Sequence, residues 1–308
     1  MARAGHAAER CSVLEQQAAL ETSTEARREA LGEAARVALE QLGDTARAEA
    51  NWRARLAMNP EDLEALGGLV AALDAGARWR DLVVALRQRK LLVSTAEARV
   101  DGVRVARLLE NELASPQEAI DAWLQVRQSH GPDEESFAAL RRLFEHTGRH
   151  ADLARLLTET AELAQDDARR VELHLALGEV HRQHTGDILS GLEAFVAAAA
   201  WQRCIEVAGA THVGRELGRK AVATLYRHAT AAWAKDAANT GAERASLWAL
   251  EELTERLLEA GEHGEAERRH GEPRRAQRRD AHVEDLAQRA EARTEERSAE
   301  EDHKDLAR

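Results

Sequence analysis

The chain has 308 residues, enough to bury a sizeable core either as two globular domains or as one long repeat array, with 3% aromatic residues and 4 prolines. Val, Ile and Thr are sparse and never alternate for long, which argues against strands and predicts an all-α chain. The net charge is −12, with acidic and basic residues interleaved and no basic stripe, so phosphate backbones are repelled and nucleic-acid binding is not expected.

Two cysteines, Cys11 and Cys204, form neither a disulfide framework nor a metal-ligand spacing. The opening MARAGHAAERCSVLEQQ lacks the apolar core of a signal peptide, and no apolar run approaches the ~18 residues of a membrane span. The expectation is a cytoplasmic protein with no membrane contact. Arginine supplies almost all the basic residues, which points to a GC-rich, bacterial genome.

Residues 1–23 read as one helix, a partial repeat. From residue 24 to about 200 the chain repeats itself. GDTARAEANW (43–52) is answered by ASPQEAIDAW (114–123). Each has a small residue first, an alanine five places on (Ala48, Ala119) and a tryptophan four places later (Trp52, Trp123). GDILSGLEAF (186–195) keeps the scheme with Gly186, Gly191 and Phe195, and GEHGEAERRH (261–270) keeps Gly261 and Ala266 but ends on His270. The four starts lie 71, 72 and 75 residues apart, the fixed-period self-similarity of a solenoid.

A second marker falls half a period on: GARWRDL (76–82), GRHADL (148–153) and, more faintly, GRKAVA (218–223). Each period therefore holds two helical hairpins, four helices in all. Gly43 can end one helix in the left-handed conformation and Asp44 can cap the next; Ser115 is a cap before Pro116 in a first turn. The small residue lets a partner helix approach, and the aromatic one turn on fills the gap beside it. Asn59–Pro60 and Gly131–Pro132 stop these helices.

Projected back, the half-period register puts Ala7 in the place of Arg78, and Cys11 in the core slot of Leu82 and Leu153. The chain then opens on a hairpin's second helix. A longer parent array, a partner docked on that flank, or simple fraying would each account for this. After Phe195 the stretch AVAAAAWQRCIEVA is expected to prolong its helix through Trp201 and Cys204. Residues 201–261 read as degenerate repeats or a C-terminal cap, with AERASLWALEELTERLLEAG (242–261) as one amphipathic helix. In 262–308, 25 of the 47 residues are charged, so a frayed helix or disorder is expected.

Chemistry is thin. His174, His181 and His184 share a helix, but no further ligand completes a zinc set, and packing or solvent positions are the simpler reading. His146 and His150 straddle a turn. Both cysteines read as buried core residues rather than nucleophiles. Asp81 and Asp152 recur at the repeat spacing and read as helix-start residues favourable to the dipole. No phosphate loop, dinucleotide fingerprint or nucleophile elbow appears. The expectation is therefore no enzyme, no cofactor and no metal. Trp79, at a turn, is either a candidate partner contact or a clip between hairpins.

Gly43–Asp44, Ala48, Trp52, Leu56, Met58 and Pro60 resemble the turn, second helix and closing proline of the tetratricopeptide repeat. Leu177–Gly178, His181 and Gly186–Asp187 resemble its first-helix motif, with histidine for the usual tyrosine and one extra residue before the turn. The likeness spans roughly 7–270 and is closest over 24–196. Several first helices look longer than the family's, and only alternate hairpins carry the small-then-aromatic signature. The resemblance implies an α–α superhelix of stacked antiparallel hairpins, about 12 helices, with a charged tail. It also implies a scaffold that binds a protein or peptide along its first helices, near 26–42, 61–75, 97–113, 133–147 and 168–185. Two alternatives remain open: an accessory region of a longer enzyme or regulator, and an RNA-processing scaffold of the half-a-tetratricopeptide kind.

Overall fold

A computed structural model describes residues 2–210 and 215–259, and every element among them is helical. The chain divides into two compact units, Met1–Leu156 and Leu157–Arg308. The first holds α1 (Ala2–Leu20), α2 (Thr24–Val37), α3 (Thr45–Met58), α4 (Leu63–Ala75), α5 (Trp79–Lys90), α6 (Thr95–Asn111), α7 (Pro116–His130) and α8 (Glu134–His146). Helix α9 (His150–Leu163) crosses the division. The second unit holds α10 (Asp167–Val180), α11 (Ile188–Ala197), α12 (Trp201–Gly209), α13 (Arg215–Lys235) and α14 (Thr240–Glu259). Fourteen helices among the described residues thus stand where about a dozen were expected.

In the first unit each helix from α1 to α8 packs on the next, and α2 also meets α4. Short turns make successive helices antiparallel, so odd- and even-numbered helices form two layers. The 71-residue period is visible in the caps. Ser23 and Ser94 begin α2 and α6 by accepting the N–H of Ala26 and Glu97, each at 3.4 Å. Asp62 and Asp133 begin α4 and α8 in the same way, at 3.1 Å from Ala65 and 2.9 Å from Ser136. One period is therefore α2–α5 and the next α6–α9. Side-chain caps satisfy N–H groups that have no partner inside the helix, which fixes where each helix starts.

The extra residue seen before Gly186 is absorbed by a π turn, His181–Thr185, that closes α10; the Gly186 N–H donates to His181 O at 3.1 Å. A second π turn, Ala38–Leu42, closes α2 before Gly43. Both glycines are left-handed, with φ 66° and 67°, and Asp44 and Asp187 then cap α3 and α11. The second period departs from this scheme. Ala114 takes the left-handed conformation without being glycine, at φ 46°. Ser115 precedes Pro116 but makes no cap: its hydroxyl donates to Leu113 O at 3.2 Å. The lost proline N–H and the fixed proline φ do that work instead.

After Phe195 the expected helix does not continue. Ala199 is left-handed, at φ 51°, the Ala200 N–H returns to Phe195 O at 2.9 Å, and α12 starts afresh at Trp201. The same closure joins Arg78 to Leu73 and Arg149 to Phe144, around Ala77 and Gly148. This turn geometry thus recurs at Ala199–Trp201, 51 residues after Gly148 instead of 71, and Gly218, the expected third marker, lies inside α13. In the second unit α12 packs on both α13 and α14, and α13 and α14 pair along their length. A continuous core of Phe195, Trp201, Cys204, Leu225 and Leu253 holds these helices together. Gly261, Ala266 and the charged tail 262–308 lie outside the described residues.

Candidate interaction surface

The repeat positions form the frame of the site. Ala48 and Ala119 are fully buried, and Gly191 is a buried position where a Cβ would come 3.2 Å from that of His181. Trp52 lies between α2 and α4: a Cβ on Gly68 would collide with its indole, and one on Gly32 would reach 3.5 Å from it. Phe195 lies against Gly178 in the same way: a Cβ there would come 2.6 Å from its ring. Trp123 is buried at the equivalent place in α7, while Pro60 is exposed in its turn, its carbonyl accepting from Gln88 Nε2 at 2.9 Å. Aromatic side chains seated on glycine bring helices to close approach and set the spacing of the array. Trp79 is the first residue of α5 and is half-buried.

Arginine–carboxylate pairs tie each helix to the next one in its own layer. In the even layer Arg36 meets Glu64 at 2.6 Å, Arg104 meets Asp74 at 2.7 Å and Arg107 meets Glu135 at 2.6 Å. Arg28 and Arg99 reach the capping carboxylates Asp62 and Asp133, at 2.7 and 3.3 Å. These ties follow the repeat. Arg28 and Arg99, Asp62 and Asp133, Arg36 and Arg107, and Glu64 and Glu135 are each 71 residues apart. In the odd layer Arg47 binds Glu15 at 2.6 Å and Arg80 binds Glu118 at 2.8 Å. The interleaved charge of the sequence is thus a ladder between neighbouring helices, and the recurring spacing was the signal that could have found it.

One rung is buried. Arg55 lies between Asp62 and Glu64, at 2.8 and 2.5 Å, and 5.7 Å from the centre of the Trp52 ring. Arg28 and Arg36 complete the chain Arg28–Asp62–Arg55–Glu64–Arg36. Burial pushes the Asp62 carboxyl up, but the hydrogen bonds from Arg55, Arg28 and the Ala65 N–H outweigh it and hold it far below the usual carboxylate range. Glu15 is lowered to about 2, chiefly by the Arg47 hydrogen bond, against burial and with help from Asn51.

Beside these ion pairs the even layer carries an apolar opening. Leu63 at the start of α4 and Val100 in α6 are 46% and 63% exposed. With Val93 they line a notch of about 290 Å³, whose wall is the Arg89–Asp101 ion pair and whose rim carries Glu97. Leu63 and Val100, 37 positions apart, fall within the stretches 61–75 and 97–113 where contacts were expected, but nothing along either helix marks these two side chains as neighbours.

Chemistry is not assembled around the expected polar residues. Among the described residues no three His, Cys, Asp or Glu side chains gather to hold a metal ion. His174 is on α10 and is held below the usual histidine range by burial and Arg170, whereas His181 and His184 lie in the π turn, His181 bonded to Thr185 at 3.0 Å. His146 is in the last turn of α8 and His150 begins α9. Both cysteines are buried: Cys11 donates to Ala34 O at 3.4 Å, and burial pushes the Cys204 thiol up to about 12. Asp81 and Asp152 lie in first turns and accept from Arg78 and Arg149, each at 2.6 Å. No described helix is long and apolar enough to cross a membrane.

No family model and no curated protein matches this chain. Among solved structures it is similar to that of Naa15/Naa10 bound to HypK-THB, with 12% identity and a TM-score of 0.44. That match covers 80% of this chain and 39% of the other, so the chain spans about two-fifths of the length of that protein. It is also similar to the nearly identical TPR-like repeats of a putative kinesin light chain from Podosopora anserina, at 16% identity and a TM-score of 0.31, over 63% of this chain and 100% of that one. A Q17M form of those repeats matches at 16% identity and a TM-score of 0.30, over 58% and 96%. Its helix-turn register and aromatic-on-glycine packing give an all-α array of antiparallel helical hairpins, similar in fold to tetratricopeptide-like repeats.

Proposed function

We propose that this protein is a non-catalytic scaffold of the cytoplasm that binds a protein or peptide partner on the even-helix face of its first unit. The observation that carries this reading is the notch of Leu63, Val93 and Val100, an apolar opening beside the ion pairs Arg36–Glu64 and Arg107–Glu135. A partner's apolar side chain would gain by leaving water there, at about 25 cal/mol per Å² buried. The paired arginines around it would supply shape and exclude water more than they supply net charge. Helices α2, α4, α6 and α8 are also the first helices of their hairpins, where the resemblance places binding.

The test is affinity capture from the source organism with the full chain and two variants. The double variant Leu63→Glu/Val100→Glu is expected to lose partners that the parent retains. Val84→Glu, on α5 in the other layer and 63% exposed in the parent, is expected to keep them. Equal retention by all three proteins would refute this face.

A further inference from the structure

The notch in the even layer has a charge as well as a shape. Its charged lining residues are Arg89, Asp101 and Glu97. The first two cancel: Arg89 donates to Asp101 through Nε at 2.9 Å and again through Nη2, and the Asp101 side chain is 1% exposed. Glu97 is held differently. It closes the capping box of α6, accepting from the Ser94 N–H at 3.1 Å and from the Ser94 hydroxyl at 2.6 Å. Both donors are neutral, so they fix the carboxylate without cancelling its charge. These hydrogen bonds, with Arg89 beyond them, hold Glu97 below the usual carboxylate range and keep it ionised at neutral pH. The positive end of α6 offsets roughly half a unit charge, which leaves the notch a negative edge.

That edge lies beside the apolar opening. Glu97 and Val100 are three residues apart and therefore neighbours on one face of α6, about 5–6 Å apart at Cβ. Leu63 of α4 and Val93, just before α6, share the lining. A second helix laid on this face meets the same spacing. When one of its side chains enters the opening beside Val100, the side chain one turn away lies over Glu97. The chain as a whole acts in the same direction, since a net charge of −12 speeds encounter with a basic partner.

Resting on the reading of this notch as a partner site, we propose that it binds a basic amphipathic helix of a partner protein. A leucine-sized side chain would fill the opening, and an arginine or lysine one turn away would meet Glu97. An acidic helix would set like charges together there.

The test uses the full chain and a fluorescently labelled helical peptide of about 14 residues. The peptide carries one leucine with an arginine one turn to either side; the control has glutamates in place of the arginines. At about 0.15 M salt, anisotropy titration is expected to show the arginine peptide binding at least ~5-fold more tightly. Glu97→Gln, which keeps an acceptor for Ser94, should shrink that preference at least ~2-fold. Glu193→Gln removes the same charge from an exposed position on α11 and should leave the preference intact. Leu63→Gln/Val100→Gln adds no charge and should weaken the arginine peptide at least ~10-fold.

A preference that survives Glu97→Gln unchanged would belong to the net charge and would overturn the proposal. Equal binding of the two peptides, lost in Leu63→Gln/Val100→Gln, would overturn the basic partner and leave the apolar face standing. Indifference of the arginine peptide to Leu63→Gln/Val100→Gln would overturn both readings, and binding of neither peptide would overturn this one.

Discussion

The hairpins around Trp52 and Trp123 are two copies of one unit with different interiors. Caps, tryptophan and ion-pair ladder recur at 71 residues, but the residue three places after the tryptophan is Arg55 in the first and Val126 in the second. Arg55 is buried and bonded to Asp62 and Glu64, which lie on the next hairpin; Val126 packs against Gly102, where a Cβ would come within 3.1 Å of it. In the second copy Asp133 keeps only the more exposed tie, at 3.3 Å to Arg99. The same backbone arrangement therefore accepts either a charged or an apolar interior. The ladder and the aromatic maintain the spacing, and the residue beneath is free to vary. Buried ion pairs add little net stability over apolar packing, because desolvation offsets most of their attraction.

The largest effects should be common to both copies. Trp52→Ala and Trp123→Ala are each expected to cost about 3–5 kcal/mol in a urea melt. A negligible loss at either site would show that its indole does not fill the gap between hairpins. Importing the second copy's residue is the sharper comparison. Arg55→Val should cost about 1–3 kcal/mol, below the ~3–5 of an orphaned buried charge, since Asp62 retains Arg28 and Glu64 retains Arg36. A greater loss would make the first interior dependent on its charge.

Acid separates the copies in the odd layer, where Glu15–Arg47 ties α1 to α3 and the reversed pair Arg80–Glu118 ties α5 to α7. Glu15 is lowered from 4.5 to about 2 in the folded chain, so its contribution is complete above pH 4.5 and is lost as pH falls towards 2. Melting temperature should fall over that window, and Glu15→Gln should flatten the slope more than Glu118→Gln. An equal effect of both would place the acid sensitivity elsewhere. The two turns offer a smaller contrast: Ala114→Gly should stabilise by about 0.5–1 kcal/mol, while Gly43→Ala should cost about 1 kcal/mol. Smallest of all, Arg142→Ala removes an exposed pair with Glu110 and should shift stability by less than about 0.5 kcal/mol. Denaturant midpoints read both.

The all-helical class, the period and most helix starts were legible because they rest on local chemistry. A serine or aspartate cap acts on N–H groups two or three residues away, and a glycine turn acts within one turn of helix. The same local rules misled at Ala199, where alanine took the left-handed conformation and no side chain announces a break. Ser115 looked like a cap, yet its hydroxyl turned back to Leu113 once Pro116 had set the first turn.

By itself the sequence determined a chain of helical hairpins repeating every 71 residues, with its aromatic and small residues in register. Tertiary structure alone decided that Arg55 is buried between two carboxylates and that Leu63 and Val100 share a notch. The reason is range. Capping and periodicity act along a few residues of one helix, whereas these contacts join helices through space and depend on how far each helix extends and how closely its neighbours approach.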